Sequence, residues 1–453
     1  MTNEEFLEEA KDVIDYLLEI KGKHDTWREY TNIDTRKNYG IPMVDDLGDS
    51  IPFIAWYGKL TGAKRLVDMA DFLAKRLLER YQREDGTLIT EKKNVYDADK
   101  MSDSILGINL MARLADTPYF VERSKSFFSG LNKHMVTADG LVIYKKSYGI
   151  KIPFSSGKFS GLYAEESINL YDISGDREAL FQSERYLRPW IDDPYFNNNG
   201  LFPFKSSSRW NQPLMDLALR IKYGIPLLSA MSSKANSNLI FALTSYYEKT
   251  KDKEVLDVLM KWKEGVKDKM ISKNGLFYVL WTDHGRYNNL ALDHAMIDCF
   301  LEINRVTGDK ESLSVAEGVA GCWLKHQDKT GLMPQGIETE EIHFLPEEKK
   351  YAYNFSRLDT QTDFGVVLVK LYFLTKNEDY LLAAERIGKA VIRHHRKNRG
   401  YAGFVKIDSL KKYDITIETK FLFLLNKLFL ALAFAKEEDF FRDKLNMSMM
   451  RDR

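Results

Sequence analysis

The sequence predicts an all-α protein, an (α/α) toroid of six or seven helical hairpins, with seven the better fit. Pairs of helix-length apolar stretches recur along the 453 residues, and short glycine turns follow six of them, at Gly86, Gly140, Gly200, Gly275, Gly331 and Gly400. The apolar face of each hairpin can be covered only by its neighbours, so a closed ring satisfies every hairpin. No linker rich in proline, serine or glycine interrupts the repeats, which predicts one domain over 1–440 and a tail over 441–453.

The first helix of each pair is predicted to face the interior of the ring. These inner helices are expected at roughly 44–61, 98–115, 155–175, 233–250, 289–307, 358–376 and 414–435. The outer helices follow at roughly 64–81, 117–134, 177–191, 253–271, 310–327 and 378–396. A helix at about 4–21 closes the ring against the last inner helix, and an additional apolar helix at about 213–232 leaves six and seven pairs both open.

The joints between inner and outer helices share a recurring phrase, as in LYDISGDREAL and INRVTGDKESL. In each phrase an apolar stretch ends at a Ser-Gly or Thr-Gly pair, and a charged residue follows. Glycine favours the left-handed conformation that ends a helix, and aspartate caps the start of the next helix. The phrase therefore predicts a helix, a tight corner and a second helix.

The charge balance and the sparse cysteines exclude several classes of protein. Lysine plus arginine equals aspartate plus glutamate at 66 each, so no large field favours nucleic acid or an anionic membrane surface. The N-terminus lacks a basic region and a cleavage site, and no apolar run reaches bilayer length, which predicts a cytoplasmic protein. Cys299 and Cys322 have no second cysteine at metal-ligand spacing. Phosphate loops, Gly-x-Ser-x-Gly elbows and His-Glu-x-x-His helices do not occur.

All inner helices of a ring start at one rim, so their first turns converge on the mouth of the central cavity. Acidic residues occur there in nearly every repeat: Asp45, Asp46, Asp49, Asp97, Asp99, Asp103, Glu165, Glu166, Asp216, Asp293, Asp359, Asp363 and Glu418. A single acid in a first turn usually caps its helix. Recurrence favours a functional cluster, and the apolar stretches after Glu166, Asp363 and Glu418 predict that these three point inward.

Paired carboxyl groups in a cavity suit hydrolysis of a glycosidic bond, because one donates a proton to the leaving oxygen and the other activates water or attacks the sugar. Additional acids can bind sugar hydroxyls or a divalent cation, and an all-oxygen set suits calcium rather than zinc. Aromatic residues in the turns are typical of a sugar-binding cleft, although packing beneath long loops explains them equally well. They are Trp190, Tyr195, Phe196, Phe202, Phe204, Trp210, Phe277, Tyr278, Trp281 and Tyr287.

Several segments are similar to a known pattern: MVDDLGDSIPFIAWYGKLTG, AEESINLYDISGD, LMDLALRIKYGIPLLSA, DTQTDFGVVLVKLYFLTKNEDY, RHHRKNRGYAGF and YDITIETKFLFLL. The last three follow the pattern in order and at plausible spacing. They resemble the class I α-1,2-mannosidases of glycoside hydrolase family 47, whose catalytic domain is a ring of seven helical pairs. The resemblance is scattered over most of the chain. It implies a mannosidase-like glycosidase that acts on an oligosaccharide or glycoside.

The resemblance also implies roles for individual residues. Glu166 and Asp216 fall where the family keeps a glutamate and a catalytic aspartate, and Asp363 replaces the family's glutamate base. The acid-bearing helix corresponds to Asp99 or Asp103. Nothing in the tail KEEDFFRDKLNMSMMRDR resembles the family's calcium-binding threonine, which speaks against a calcium ion. We assign the remaining substrate contacts to Asp45, Asp46, Asp49, Asp293, His294, Glu418, Trp210, Trp281 and Tyr287.

Two other functions fit the same fold. The related N-acylglucosamine 2-epimerases are thought to use histidine bases, and the candidates here are His284, His294 and His326, although an isolated histidine is more often structural. His394 and His395 lie in a basic run at a helix end and are assigned no chemistry. A sugar epimerase or uronate lyase is therefore the first alternative. A non-enzymatic helical-repeat scaffold is the second, against which the irregular repeat lengths argue.

Overall fold

The computed structural model describes residues 2–21, 27–42, 46–90, 94–152, 154–203, 205–206, 231–278, 280–282, 285–287, 290–337 and 354–451. Its helices are, in chain order, α1 (Asn3–Ile20), α2 (Asp46–Asp49), α3 (Ile51–Leu60), α4 (Lys64–Tyr81), α5 (Ala98–Leu114), α6 (Pro118–Met135), α7 (Gly157–Ser174), α8 (Arg177–Ile191), α9 (Pro194–Asn199), α10 (Ser233–Thr250), α11 (Lys253–Lys269), α12 (Leu290–Thr307), α13 (Lys310–Leu324), α14 (Leu358–Thr375), α15 (Glu378–Ala390), α16 (Lys420–Ala433), α17 (Glu438–Arg442) and α18 (Lys444–Met449). Helices dominate the described ranges.

The inner helices are α3, α5, α7, α10, α12, α14 and α16, and each packs against the next one along the chain. Helix α16 returns to α2 and α3, so the ring closes. Helices α4, α6, α8, α11, α13 and α15 form the outer layer. The predicted all-α toroid is confirmed. The additional helix expected at 213–232 falls almost entirely outside the described residues, so the choice between six and seven pairs stays a prediction.

The corner phrases form the predicted joints. Gly175 ends α7 in the left-handed conformation with φ 69°, and its N–H donates to the carbonyl of Tyr171 at 2.8 Å. Asp176 then caps α8 by accepting from the backbone N–H of Glu178 at 3.1 Å. Lys376 adopts the same left-handed conformation after α14, with φ 57°. The left-handed corner therefore forms even where glycine is missing.

The glycine turns at the ends of the outer helices dock on the next outer helix. Gly86 has φ 89°, and a Cβ atom there would lie 2.0 Å from the carbonyl oxygen of Ser126. Gly140 has φ 95°, and its Cβ would lie 2.1 Å from the carbonyl oxygen of Arg185. Only glycine tolerates both the conformation and the close approach. This contact explains why the glycine turns recur.

Helix α1 packs against α16, as the sequence predicts. The ring of Phe6 stacks on Phe429 with centroids 6.4 Å apart. Arg396, which follows α15, donates to both carboxylate oxygens of Glu9 at 2.9 Å. The N-terminal helix therefore serves as the outer partner of the last inner helix.

Short antiparallel sheets, which the sequence analysis did not predict, lie where the inner helices begin. The strands are β1 (Arg28–Asn32), β2 (Lys37–Pro42), β3 (Val95–Asp97), β4 (Lys145–Ser147), β5 (Ile150–Ile152), β6 (Phe154–Ser155), β7 (Lys205–Ser206), β8 (Met231–Ser232), β9 (Leu280–Thr282), β10 (Gly285–Tyr287), β11 (Phe355–Arg357), β12 (Arg396–Lys397), β13 (Gly400–Tyr401), β14 (Phe404–Lys406), β15 (Lys412–Tyr413) and β16 (Thr416–Glu418). The three-stranded sheets have the orders β16-β1-β2, β3-β4-β5, β10-β9-β8 and β11-β14-β15. Strands β3 and β11 run directly into α5 and α14, so the sheets fix the entry of inner helices.

The end of the chain packs against the ring. The predicted boundary at 441 falls inside α17, and the indole N–H of Trp56 donates to Asn446 Oδ1 in α18 at 2.7 Å. The division into a domain over 1–440 and a tail stays a prediction. Among the described residues, no helix combines the length and apolarity needed to cross a bilayer.

Candidate functional site

The inner helices run parallel, and the helical repeat selects which side chains face the interior of the ring. Residues spaced by four, seven or eight, and eleven share one face of a helix. In α12 this face carries His294, Asp298, Glu302 and Arg305. These residues interact with groups of α14, α10 or the tail. The interior of the ring is therefore a column of charged groups rather than an apolar core.

The layer nearest the helix starts contains two carboxyl groups of α14. Asp359 Oδ1 lies 2.9 Å from Arg357 Nε, and the Asp359 side chain is 16% exposed. Burial raises the pKa of Asp359; Arg357 and His294 oppose this rise, and the charge of Asp363 adds to it. Because its pKa is raised, Asp359 stays protonated up to a higher pH than an ordinary aspartate does.

Asp363, one helical turn further along α14, forms an ion pair. Its Oδ1 lies 2.9 Å from Lys427 Nζ of α16, and the two side chains are 10% and 4% exposed. Lys427 Nζ also donates to the carbonyl oxygen of Arg451 at 3.1 Å. Asp359 and Asp363 therefore share one helix face but have different electrostatic surroundings.

Helix α5 contributes carboxyl groups from another part of the ring. Asp97 caps α5 by accepting from the backbone N–H of Asp99 at 3.1 Å, and its other oxygen lies 3.2 Å from Lys145 Nζ. Asp99 pairs with Lys158 of α7. Asp99 and Asp103 are partly exposed on one face of α5. Asp97 thus has the ordinary capping role, whereas Asp99 and Asp103 remain accessible.

A buried ion pair forms the next layer. Lys370 Nζ donates to Asp298 Oδ1 and Oδ2 at 2.9 and 2.8 Å, and the side chains are 3% and 1% exposed. Burial raises the pKa of Asp298, and Lys370 opposes this rise. The pair links α14 to α12 across the interior of the ring.

Arg451 of the tail occupies the layer below. Its guanidinium pairs with Glu165 of α7 and with Glu302 of α12, the latter at 2.7 Å. Burial alone raises the pKa of Glu302, but Arg451, Arg305 and Lys370 together outweigh burial and lower it to about 2. The same carboxylates raise the pKa of Arg451 despite its burial. Both acids are therefore neutralised by the chain itself.

A cavity of about 310 Å³ opens at the C-terminal ends of the inner helices. Charged residues dominate its wall, including Arg113, Asp172, Glu248, Lys249 and Arg305. Cations at helix C-termini offset the helix dipoles, which explains much of this basic lining. The cavity lies at the opposite end of the ring from the rim where the sequence places the catalytic acids.

We place the candidate site at the rim rather than in this cavity, because the rim holds the two carboxyl groups with contrasting surroundings. The segments 207–230 and 338–353 precede the inner helices α10 and α14 in the chain and lie outside the described residues.

Two predicted site residues contact neighbouring helices in the described structure. Glu166 Oε2 accepts from Asn109 Nδ2 at 2.9 Å, and Asn109 Oδ1 accepts from Ser124 of the outer helix α6 at 2.7 Å. Asp293 Oδ2 accepts from the indole N–H of Trp323 in α13 at 2.8 Å, and burial raises its pKa well above the ordinary value. The sequence neighbours Glu165 and His294 lie on the interior face instead.

Asp46, the first residue of α2, is buried and accepts hydrogen bonds, one of them from Trp27, which precedes the helix. Its Oδ2 accepts from the backbone N–H of Trp27 at 2.8 Å and its Oδ1 from Ser50 Oγ at 3.0 Å. The following predicted residues lie outside the described residues or have side chains outside the described part: Asp45, Asp49, Asp216, Glu418, Trp210, Trp281, Tyr287, Phe204 and His284. Their assigned roles stay predictions.

Most of the described turn aromatics pack in the interior of the protein. Trp190, Phe196 and Phe277 are fully buried, and Phe196 stacks on Phe202 with centroids 4.2 Å apart. For these residues the packing interpretation holds. Only Tyr195 among the described members is partly buried rather than buried.

The histidines divide into structural and interior ones. His395 is buried, with Nδ1 2.8 Å from the carbonyl oxygen of Ala402 and Nε2 2.9 Å from Ser356 Oγ. Burial lowers its pKa to about 4. His326 is exposed at the end of an outer helix. His294 is the described candidate that faces the interior, where it lies within electrostatic range of Asp359.

Sequence reasoning did not single out Asp298, Glu302, Lys370, Lys427 or Arg451. Asp298 and Glu302 follow His294 at the fourth and eighth positions, so the helical repeat applied to one accepted candidate would have found them. Lys370 likewise follows Asp363 by seven. Arg451 follows no repeat, and no signal in the sequence marks it.

Four described interior carboxylates pair with internal cations rather than grouping around a metal site. Among the described residues, no group of three or more histidine, cysteine or acidic side chains is arranged to hold a metal. Asp298, Asp363, Glu165 and Glu302 instead contact lysine or arginine side chains. A calcium ion would have to displace these internal cations.

Known structures with the same architecture support the fold. An alpha-1,2-mannosidase from Trichoderma reesei is 10% identical, with 95% of this chain and 94% of that chain covered and a TM-score of 0.68. A D-mannose isomerase is 13% identical, with 78% and 90% covered and a TM-score of 0.58. A cellobiose 2-epimerase from Bacillus thermoamylovorans is 13% identical, with 77% and 94% covered and a TM-score of 0.57.

These similarities establish the fold of the chain, a helical toroid of the kind seen in sugar-processing enzymes. No sequence profile of a known family matches the chain, and no curated protein matches its sequence. Fold alone does not decide between the chemistries that this architecture hosts.

Proposed function

We propose that the protein is a carbohydrate-active enzyme, a glycoside hydrolase whose site lies at the rim where the inner helices begin. One observation carries this proposal: Asp359 and Asp363 share the interior face of α14, but burial raises the pKa of Asp359, whereas Asp363 forms an ion pair with Lys427. Two carboxyl groups with contrasting surroundings suit the acid and base of glycosidic bond cleavage.

In this mechanism Asp363 is the general base that activates water, as the resemblance also implies. Asp359 donates a proton to the leaving oxygen, since burial favours its neutral form. Asp99 and Asp103, which are accessible on α5, contact the substrate from another side or take the role of the acid. The resemblance also implies catalytic roles for Glu166 and Asp216. For Asp216 this role stays a prediction, whereas the contact of Glu166 with Asn109 favours a structural role for Glu166.

Two observations support the proposed substrate class. The sequence segments resemble α-1,2-mannosidases, and the fold is similar to that of a protein described as an alpha-1,2-mannosidase. We therefore propose a mannoside, with an α-1,2-linked disaccharide as the first substrate to test. Release of free sugar from such a disaccharide, abolished in D363N, is the expected result.

A sugar epimerase or isomerase is the second candidate, and His294 favours it. The imidazole faces the interior within electrostatic range of Asp359, as a proton-transferring base would. Incubation of free mannose and of disaccharides in heavy water separates the two functions. An epimerase incorporates deuterium at a sugar carbon without cleaving a glycosidic bond, whereas the hydrolase cleaves the bond without such exchange.

A further inference from the structure

We propose that Arg451 is a positioning residue: the tail segment, residues 443–451, closes the ring at the far end and, through Lys427, holds Asp363 in place. The catalytic part of this inference rests on the proposed role of Asp363 as the base. Residues 443–451 thereby contribute to catalysis, although they contain no catalytic sequence motif.

The side chain of Arg451 is anchored inside the ring. Its guanidinium pairs with Glu165 and with Glu302, lies 3.4 Å from Ser245 Oγ, and stands over the ring of Phe241 at 5.1 Å. The side chain is 9% exposed, and both carboxylates are 3% exposed. Breaking a buried pair by removing one partner leaves an uncompensated charge, so this anchor is strong.

The rest of the tail segment is fitted to other inner helices. Asp443 caps α18 by accepting from the backbone N–H groups of Leu445 and Asn446 at 2.7 and 3.1 Å. Asn446 accepts from the indole of Trp56 in α3, and Lys444 Nζ lies 3.4 Å from Glu248 in α10. A six-residue helix is unstable alone, so these contacts hold it in place.

The backbone of Arg451 connects this anchor to the proposed base. Its carbonyl oxygen accepts from Lys427 Nζ at 3.1 Å, and the same ammonium group lies 2.9 Å from Asp363 Oδ1. The ammonium group therefore lies between a hydrogen-bond acceptor and the carboxylate with which it pairs. When the carbonyl moves away, Lys427 loses its hydrogen-bond acceptor, and its position relative to Asp363 is no longer fixed.

The first test is R451A, measured with the substrate that the wild-type enzyme cleaves. We expect kcat to fall about tenfold with KM little changed, because a small misplacement of a catalytic group slows the chemical step. The matched control is K444A, which removes a cation from the same segment without reaching Lys427. Equal kcat values for R451A and the wild type would overturn the proposal.

A double-mutant cycle with K427M separates positioning from general loss of stability. If Arg451 acts through Lys427, R451A has no further effect on kcat once Lys427 is replaced, so the two effects are not additive. If the fold reductions in kcat caused by R451A and K427M multiply in the double variant, the inference is refuted. If R451A does not fold, the triple variant E165Q/E302Q/R451M takes the place of R451A in the cycle. This variant leaves no uncompensated charge, because both carboxylates and the guanidinium are replaced together.

Amine labelling supplies a readout that needs no activity. Lys427 is almost completely buried, so acetic anhydride is expected to label it slowly in the wild type and several-fold faster in R451A, with exposed Lys376 as the internal reference. Unchanged labelling would overturn the contact. Faster labelling combined with full activity of D363N would support the contact between the tail and Lys427 while rejecting Asp363 as the base.

Discussion

Lys370 and Asp298 form a buried ion pair between α14 and α12, with their charged atoms 2.8 to 2.9 Å apart. Both side chains are at most 3% exposed. Two charges with almost no contact with solvent must compensate each other, because water cannot. The interior of this ring is thus held together by charge pairing at a level where a globular domain normally packs apolar side chains.

The first prediction concerns this pair. We expect K370M to lower the free energy of unfolding by about 3 to 5 kcal/mol, because it leaves the Asp298 carboxylate buried without its partner. Urea denaturation monitored by circular dichroism measures the change. The double variant D298N/K370M should recover much of the loss, and K376M, at an exposed site, should cost little. A small effect of K370M would contradict the burial of the pair.

The second prediction tests Glu166 against Asp363. Glu166 contacts Asn109 between inner helices, so we expect E166Q to lower the free energy of unfolding by about 1 kcal/mol and to leave kcat within a few-fold of the wild type. D363N should lower kcat by about two orders of magnitude or more at nearly unchanged melting temperature. Steady-state kinetics and thermal unfolding of both variants measure these effects. A large loss of turnover in E166Q with normal stability would support its sequence-based catalytic role instead.

The third prediction concerns the pH dependence of activity. If Asp359 is the proton donor, activity requires its protonated form, and its raised pKa extends activity to higher pH before the rate falls. The variant D359N should lose this alkaline limb together with most of the rate on natural glycosides. An aryl glycoside with a very acidic leaving group needs no proton, so D359N should cleave it at nearly the wild-type rate. Failure of the activated substrate to restore the rate would remove Asp359 from the role of acid.

The fourth prediction concerns acid stability. The pKa of Glu302 in the folded protein is lowered to about 2, from an ordinary value of 4.5. A lowered pKa means that the unfolded chain binds the proton more tightly, so this stabilisation is complete above pH 4.5 and is lost as the pH falls towards 2. E302Q should therefore weaken the dependence of unfolding free energy on pH in this window. An identical slope in the wild type and E302Q would contradict the ion pair with Arg451.

The fold was largely predictable because its signals are local. The corner at Gly175 and Asp176 combines a helix-ending glycine with a helix-starting cap, and both work through the backbone of their own segment. The turn at Gly86 recurs at Gly140 because each of these turns docks on the next outer helix. The short rim sheets were missed, since strands of two to six residues have too few side chains to show an alternating pattern.

The site was only partly predictable. Asp363 was singled out because an acid precedes a long apolar stretch, and its side chain is buried in an ion pair with Lys427, while its catalytic role stays a prediction. The choice of Glu166 over Glu165 depended on the direction of a helix face, and a shift of one residue rotates a side chain by about 100° around the helix. The same ambiguity separates Asp293 from His294. An error of one position therefore exchanges an interior residue for one that contacts a neighbouring helix.

The sequence by itself determined the repeated hairpins, the corners between them and the closure of the ring, because caps, glycine conformations and apolar periodicity act over a few residues. Only the tertiary structure decided which charges meet. The contacts of Arg451 with Glu165 and of Lys427 with Asp363 join residues that are far apart in the chain. Electrostatic pairing depends on distance and burial in three dimensions, and no local pattern encodes either one.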